Sequence, residues 1–198
     1  MPINRRLVLL APLALAGCGS LLGPQKYVAL TDWPLAPPPP QGAGRGKGVV
    51  LVRDIEAGPS LGGRGLLTLE PGGGLHTGYY NRWAVPPAQA VTASLIAWLQ
   101  ASGAFAAVVA SGSALSETLA VEGTLDTLMA DLTTSTARAA LTLVVAKPHG
   151  ISERPVLQRR ITASVPLGGR IAVDLVNAQR AALADVLAQA VRAVIAAR

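Results

Sequence analysis

The stretch TLAVEGTLDTLMADL at residues 118–132 alternates apolar and polar side chains along most of its length. Leu119, Val121, Leu125 and Met129 share one face of such a strand, with Glu122, Thr124 and Asp126 on the other. A period of two marks a strand buried on one side only. The pattern returns at residues 137–146 and at 156–165, where Leu157, Ile161 and Val165 face one way along with Arg159. Three such segments in succession read as an antiparallel meander with one packed and one solvated face. Something must then cover the packed face. Residues 173–197 supply a long helix whose stripe holds Val176, Leu183, Val186, Leu187, Ala190, Val191, Val194 and Ile195. A second helix opens at Pro86-Pro87, where a missing N–H costs nothing. Its Val91, Leu95, Trp98 and Leu99 recur at i, i+4, i+7, i+8, and Gly103 ends it. The expected fold is α+β: an antiparallel β-sheet with two amphipathic helices packed on one face.

Upstream, branched residues bounded by Gly and Pro predict strands at 49–52 and 66–69, and Gly72-Gly73-Gly74 turns the chain into an extended run at 75–80. Residues 27–31 read as extended, 105–109 as a brief strand and Ser111-Gly112-Ser113 as a turn. The stretch PLAPPPPQGAGRGKG at 34–48 is a loop by composition, its four consecutive prolines favouring polyproline II. Strand-like segments on both sides make it an internal loop of one domain. Gly58 to Gly65 is glycine-rich, yet it has neither a Gly-Lys-Ser/Thr ending nor the strand-to-helix setting of a phosphate cradle.

The N-terminus places Arg5-Arg6 before an apolar run from Leu7 to Ala16, and Leu15-Ala16-Gly17 before Cys18, the single cysteine of 198 residues. Basic, apolar, small, then Cys is the order of a lipoprotein signal peptide. The run is about half the roughly 20 apolar residues a membrane span needs, and Pro12 interrupts it. Residues 1–17 are therefore expected to be removed, and 18–24 to be a lipidated cysteine with a short tether. Residues 25–198 then form one domain. The expected modification is covalent: diacylglycerol and acyl chains on Cys18, with no other cofactor. Gly19 rather than Asp after the cysteine favours the periplasmic face of the outer membrane. Losing Arg5 and Arg6 lowers the formal charge of +6 by two. The remaining basic residues are scattered and the chain holds one Phe, which argues against nucleic-acid binding.

No catalytic or metal-binding constellation is expected, and the chain reads as a non-enzyme. His76 and His149 lie in turn-like sequence without Cys or carboxylate at ligand spacing. Ser111-Gly112-Ser113 lacks the surroundings of a nucleophile elbow. Glu122, Asp126 and Asp131 read as solvent-side charges of one strand. The cluster Tyr79, Tyr80, Arg82 and Trp83 is the candidate partner contact, because amphipathic aromatics with an Arg are favoured at interface hot spots. The alternative is that Trp83 and one tyrosine staple the start of the helix onto the sheet.

Over nearly the whole chain the sequence resembles the ABC-type transport auxiliary lipoproteins, the PqiC/YmbA-like group associated with membrane integrity. The resemblance rests on the lipobox, Lys26-Tyr27-Val28-Ala29-Leu30, and Gly78-Tyr79-Tyr80-Asn81-Arg82-Trp83-Ala84-Val85-Pro86 ahead of the first helix. It extends to Ser102-Gly103-Ala104-Phe105-Ala106-Ala107-Val108 and the terminal helix. It implies a small α+β domain acting beside an MCE-domain protein and an ABC or integral-membrane transporter component, moving lipids or other apolar compounds between membranes. Self-association as a homo-oligomer stays open. Where many relatives carry an acidic loop before the Tyr-Tyr stretch, this chain has Gly58 to Gly65. The other functional class is a structural assembly lipoprotein supporting an outer-membrane or secretion complex.

Overall fold

The structure, a computed structural model, describes residues 27–42, 44 and 46–198. The expected signal segment 1–17, Cys18 and the expected tether to residue 24 lie outside the described residues, as do Gln25 and Lys26 at the expected start of the domain. The described elements run β1 (Thr31–Trp33), β2 (Val49–Val52), β3 (Glu56–Ala57), β4 (Gly65–Leu69), β5 (Leu75–Trp83), α1 (Pro87–Ala101) and β6 (Ala107–Ala110). There follow β7 (Leu119–Asp131), β8 (Thr136–His149), β9 (Ser152–Pro166) and α2 (Ala172–Ala196).

β7 is the spine. On one side it carries β8 and then β9, both antiparallel, which is the expected meander. On the other side β2, β3 and β4 each take a short length of it in parallel: Val50 beside Leu119, Glu56 beside Thr124, Thr68 beside Ala130. β6 extends β2 in parallel, β5 pairs antiparallel with β4, and β1 lies parallel to β5 at the edge. The fold is α+β as expected, and the sheet as a whole is mixed. The parallel pairing of β6 with β2 follows from connectivity: the chain leaves β2 and reaches β6 only after crossing over through α1, and such a crossover returns a strand in parallel.

Both helices cover the same face, α1 over β2, β3 and β7, and α2 over β7, β8 and β9. One continuous core results. Leu141 and Leu143 of β8 are fully buried, as are Leu183 and Leu187 of α2 and Leu95 and Leu99 of α1. Each contributes roughly 1.5–3 kcal/mol relative to exposure. α1 stops where Gly103 takes a φ of 63°, a left-handed conformation that suits glycine beyond a helix end. α2 buries Gln179 completely among its apolar neighbours, and neither its Nε2 nor its Oε1 meets a protein partner among the described residues.

The alternation of β7 breaks once. Leu125 pairs with Leu141 and Thr127 with Ala140, leaving Asp126 as a bulge. One extra residue moves every later side chain to the opposite face. Leu128 and Ala130 are therefore the buried residues beyond it, while the expected Met129 is only partly covered.

Asp131 also departs from the solvent-side reading, since its side chain is buried at the β7–β8 turn. Its Oδ1 accepts from the Thr133 hydroxyl and from the N–H groups of Thr133 (2.9 Å) and Thr134 (3.2 Å). Arg138 donates to Oδ2 at 3.0 Å. These bonds, the Thr133 hydroxyl foremost, outweigh burial and hold the carboxyl well below the usual carboxylate range. A depressed folded pKa contributes stability that is complete above the unfolded value, about pH 4, and is lost as pH falls toward the folded one. Urea unfolding followed from neutral pH into acid is thus expected to show stability declining below about pH 4, with a shallower decline in Asp131→Asn. Equal slopes would remove Asp131 as a source of acid sensitivity.

Candidate functional site

The residues singled out before α1 sit in an irregular part of β5. Two residue steps on β4, Gly65 to Leu67, face five on β5, Thr77 to Arg82. The surplus chain is thrown outward as a wide bulge. Gly78 permits it, because a Cβ there would lie 2.8 Å from the carbonyl oxygen of Asn81. Tyr79 and Tyr80 both point to solvent from the bulge, with rings in a T-shaped contact at 5.0 Å and 87°. In a regular strand they would face opposite sides.

Beyond the bulge the chain is pinned. Trp33 of β1 donates its Nε1–H to Oδ1 of Asn81 at 3.1 Å. Arg82 donates its Nε–H to Oδ1 of Asp32 at 2.7 Å, and Arg64 lies 3.7 Å from the same oxygen. The hydrogen bond from Arg82 lowers the Asp32 carboxyl from its ordinary value and raises the Arg82 guanidinium. Trp83 is 1% exposed in the core. The four sequence candidates thus separate: two tyrosines face outward, one arginine is bound to a carboxylate, and one tryptophan is structural. Asp32 carries no periodic or motif signature, so its pairing with Arg82 was not visible in the sequence.

The proline-rich run forms a second surface. Residues 34–39 lie as a strap between the two helices, with Leu35 and Pro37 buried. Trp98 of α1 donates its Nε1–H to the Pro37 carbonyl at 2.9 Å, and Arg180 of α2 donates Nε–H to the Pro34 carbonyl at 2.8 Å. Polyproline backbone has no internal hydrogen bonds, so its carbonyls are free to accept these donors. Between strap and α1 runs an open groove of about 390 Å³, lined by groups such as Pro38, Val85, Ala90 and Ala97, with Ser94 its one side-chain hydroxyl.

The remaining candidates are dispersed. His76 pairs with Thr68 in the hairpin, and His149 ends β8 with its carbonyl accepting the Ser152 hydroxyl at 3.0 Å. Ser111-Gly112-Ser113 is an exposed turn, with Gly112 at a φ of 90°. Glu122 binds Arg53 at 3.0 Å, and Arg53 reaches Glu153 across the sheet as well. Asp126 accepts from the Thr142 hydroxyl at 2.7 Å and from Arg160 at 3.2 Å. Among the described residues no group of three His, Cys, Asp or Glu side chains could hold a metal ion. No described helix is long and apolar enough to cross a membrane.

Fold and surface together define a two-layer α+β domain that presents an outward aromatic bulge and a strapped apolar groove. The sequence matches the family of ABC-type transport auxiliary lipoprotein components over residues 30–191, and the chain belongs to that family. No curated protein matches it. Among solved structures it is similar to protein XCC0632 of Xanthomonas campestris, with 19% identity and a TM-score of 0.69, over 84% of this chain and 96% of that one. A similar fold occurs in an uncharacterized protein at 14% identity and a TM-score of 0.65, over 84% of this chain and 99% of the other. The hypothetical protein CT253 of Chlamydia trachomatis follows at 11% identity and a TM-score of 0.52, over 76% and 99%. At these identities the likeness is one of fold.

Proposed function

We propose that this lipoprotein is a non-catalytic accessory of an intermembrane transport system. It is held through acylated Cys18 on the periplasmic face of the outer membrane, where it works beside an MCE-domain protein and an ABC or integral-membrane transporter component. The cargo class is lipid or another apolar compound. The family match over residues 30–191 carries the reading, because that family is defined as auxiliary to ABC-type transport. The basic, apolar, small, Cys order at residues 5–18 supports the acyl anchor, and Gly19 supports the outer membrane. A non-catalytic role is supported by the carboxylates of the sheet: Glu122, Glu153 and Asp126 are each engaged by an arginine in a structural ion pair.

Mild crosslinking, detergent extraction of the tagged, lipidated protein and mass spectrometry of what copurifies test this. An MCE-domain protein or a transporter permease is expected in the pulldown. Recovery of only a β-barrel or secretion component would overturn the transport reading in favour of a structural assembly role.

A further inference from the structure

Large apolar or amphipathic side chains collect at the β1–β5 edge of the sheet. Tyr27 is 87% exposed and Tyr79 74%, while Val28, Leu30 and Tyr80 are each about half exposed. The register brings these groups to one place. Thr31 lies opposite Asn81 in a parallel pair, so Leu30 and the residues before it approach on the side where Tyr80 and Tyr79 precede Asn81. A soluble surface rarely gathers so much apolar area without a partner.

We propose that Tyr27, Val28, Leu30, Tyr79 and Tyr80 form a seat resting in the headgroup layer of the bilayer that holds the acylated cysteine. The proposal rests on the lipoprotein reading above and adds an orientation of the domain on the membrane. The length of chain outside the structure supports it. Eight residues separate Cys18 from Tyr27, and the nine steps between them, at about 3.3–3.6 Å each, reach roughly 30 Å at full stretch. The patch therefore begins where the tether ends and is the part of the described domain held nearest the lipid. Its chemistry fits that layer. Tyrosine carries an apolar ring with a polar tip and is enriched at membrane–water interfaces. Charge adds to this: Arg64 and Arg82 share the single carboxylate of Asp32, and the sequence places Lys26 directly before Tyr27. A cationic excess at this edge attracts anionic headgroups.

The acylated cysteine leaves no free thiol, so an introduced cysteine takes a single nitroxide label. The lipidated full chain carrying Tyr27→Cys, Tyr79→Cys or, in the turn at the ends of β8 and β9, Ile151→Cys is reconstituted on vesicles of phosphatidylethanolamine and phosphatidylglycerol. Flotation of all three variants reports the tether by itself. Collision with oxygen, which concentrates in lipid, and with a water-soluble nickel chelate reports the seat. Labels at positions 27 and 79 are expected to collide more with oxygen than with the chelate, and the label at 151 to show the reverse order. Floating protein whose label at 79 is as open to the chelate as that at 151 would overturn the seat while leaving the anchor intact. Shielding of position 79 that arises only after envelope proteins are added would assign the patch to a protein and overturn it equally.

Discussion

Trp83→Ala is expected to destabilise the domain by about 3–5 kcal/mol, the range for removing a buried large aromatic side chain. Trp83 is 1% exposed and closes β5 where three elements meet. It lies opposite Trp33 of β1. Its N–H donates to the Arg64 carbonyl at 2.6 Å, and the next residue, Ala84, donates to the Trp33 carbonyl at 2.8 Å. Pro87 then begins α1. Removing the indole leaves a void at this joint that close-packed neighbours refill only in part. The expected fall in Tm is roughly 10 °C for a domain of this size. Tyr79→Ala, four residues earlier and outside the core, is expected to stay within about 0.5 kcal/mol. Thermal and urea melts of the two variants side by side decide the matter. Equal, small losses would mean that Trp83 does not anchor the strand to the helix.

That contrast also shows which parts of the molecule the sequence made legible. The meander and α2 were readable because burial on one face imposes a period, two for strands and 3.6 for helices, over more than ten residues. Periodicity reports burial and not strand direction, so the parallel pairing of β2, β3 and β4 with β7 was invisible. β3, with two residues, is too short to carry any period. The bulge at Asp126 escaped for a different reason: the residues around it keep a plausible alternation in either register, and Met129 is as apolar as Leu128. Gln179 shows the converse. Its spacing from Val176 and Leu183 places it on the apolar stripe, but its polarity argued for the surface, and packing overrode it. At the site, the composition of Tyr79, Tyr80, Arg82 and Trp83 marked the right segment. It could not divide their roles, because a regular strand would have buried one tyrosine. The surplus residues between Thr77 and Arg82 expose both. The proline strap was legible as a loop. Its contacts with Trp98 and Arg180 were not, since they join residues 61 and 146 positions apart.

Cys18→Ser is expected to move the protein from the membrane to the soluble fraction and to abolish its part in transport while leaving the domain folded. On the proposed lipoprotein reading the diacylglyceryl group is attached through the Cys18 thiol, and a hydroxyl in its place is expected to leave the chain unlipidated. Each buried CH₂ of an acyl chain contributes about 0.8 kcal/mol, so removing several chains removes the dominant hold on the bilayer. The proposed seat of exposed tyrosines contributes far less than that hold. It orients the domain once the anchor has brought it to the surface, and by itself it supports only weak, reversible binding. Cell fractionation with intact mass measurement checks the outcome, because an acylated wild type and an unmodified variant differ by the mass of the lipid. Gly19→Asp separates anchoring from address: it keeps the acyl mass and the membrane fraction, and is expected to shift the protein from the outer to the inner membrane. Domain integrity is read from the melting transition, which the loss of a tether outside the folded core should leave unmoved. A Cys18→Ser protein that still floats with outer-membrane lipid would place the hold elsewhere, and the β1–β5 edge would then be the first surface to remove.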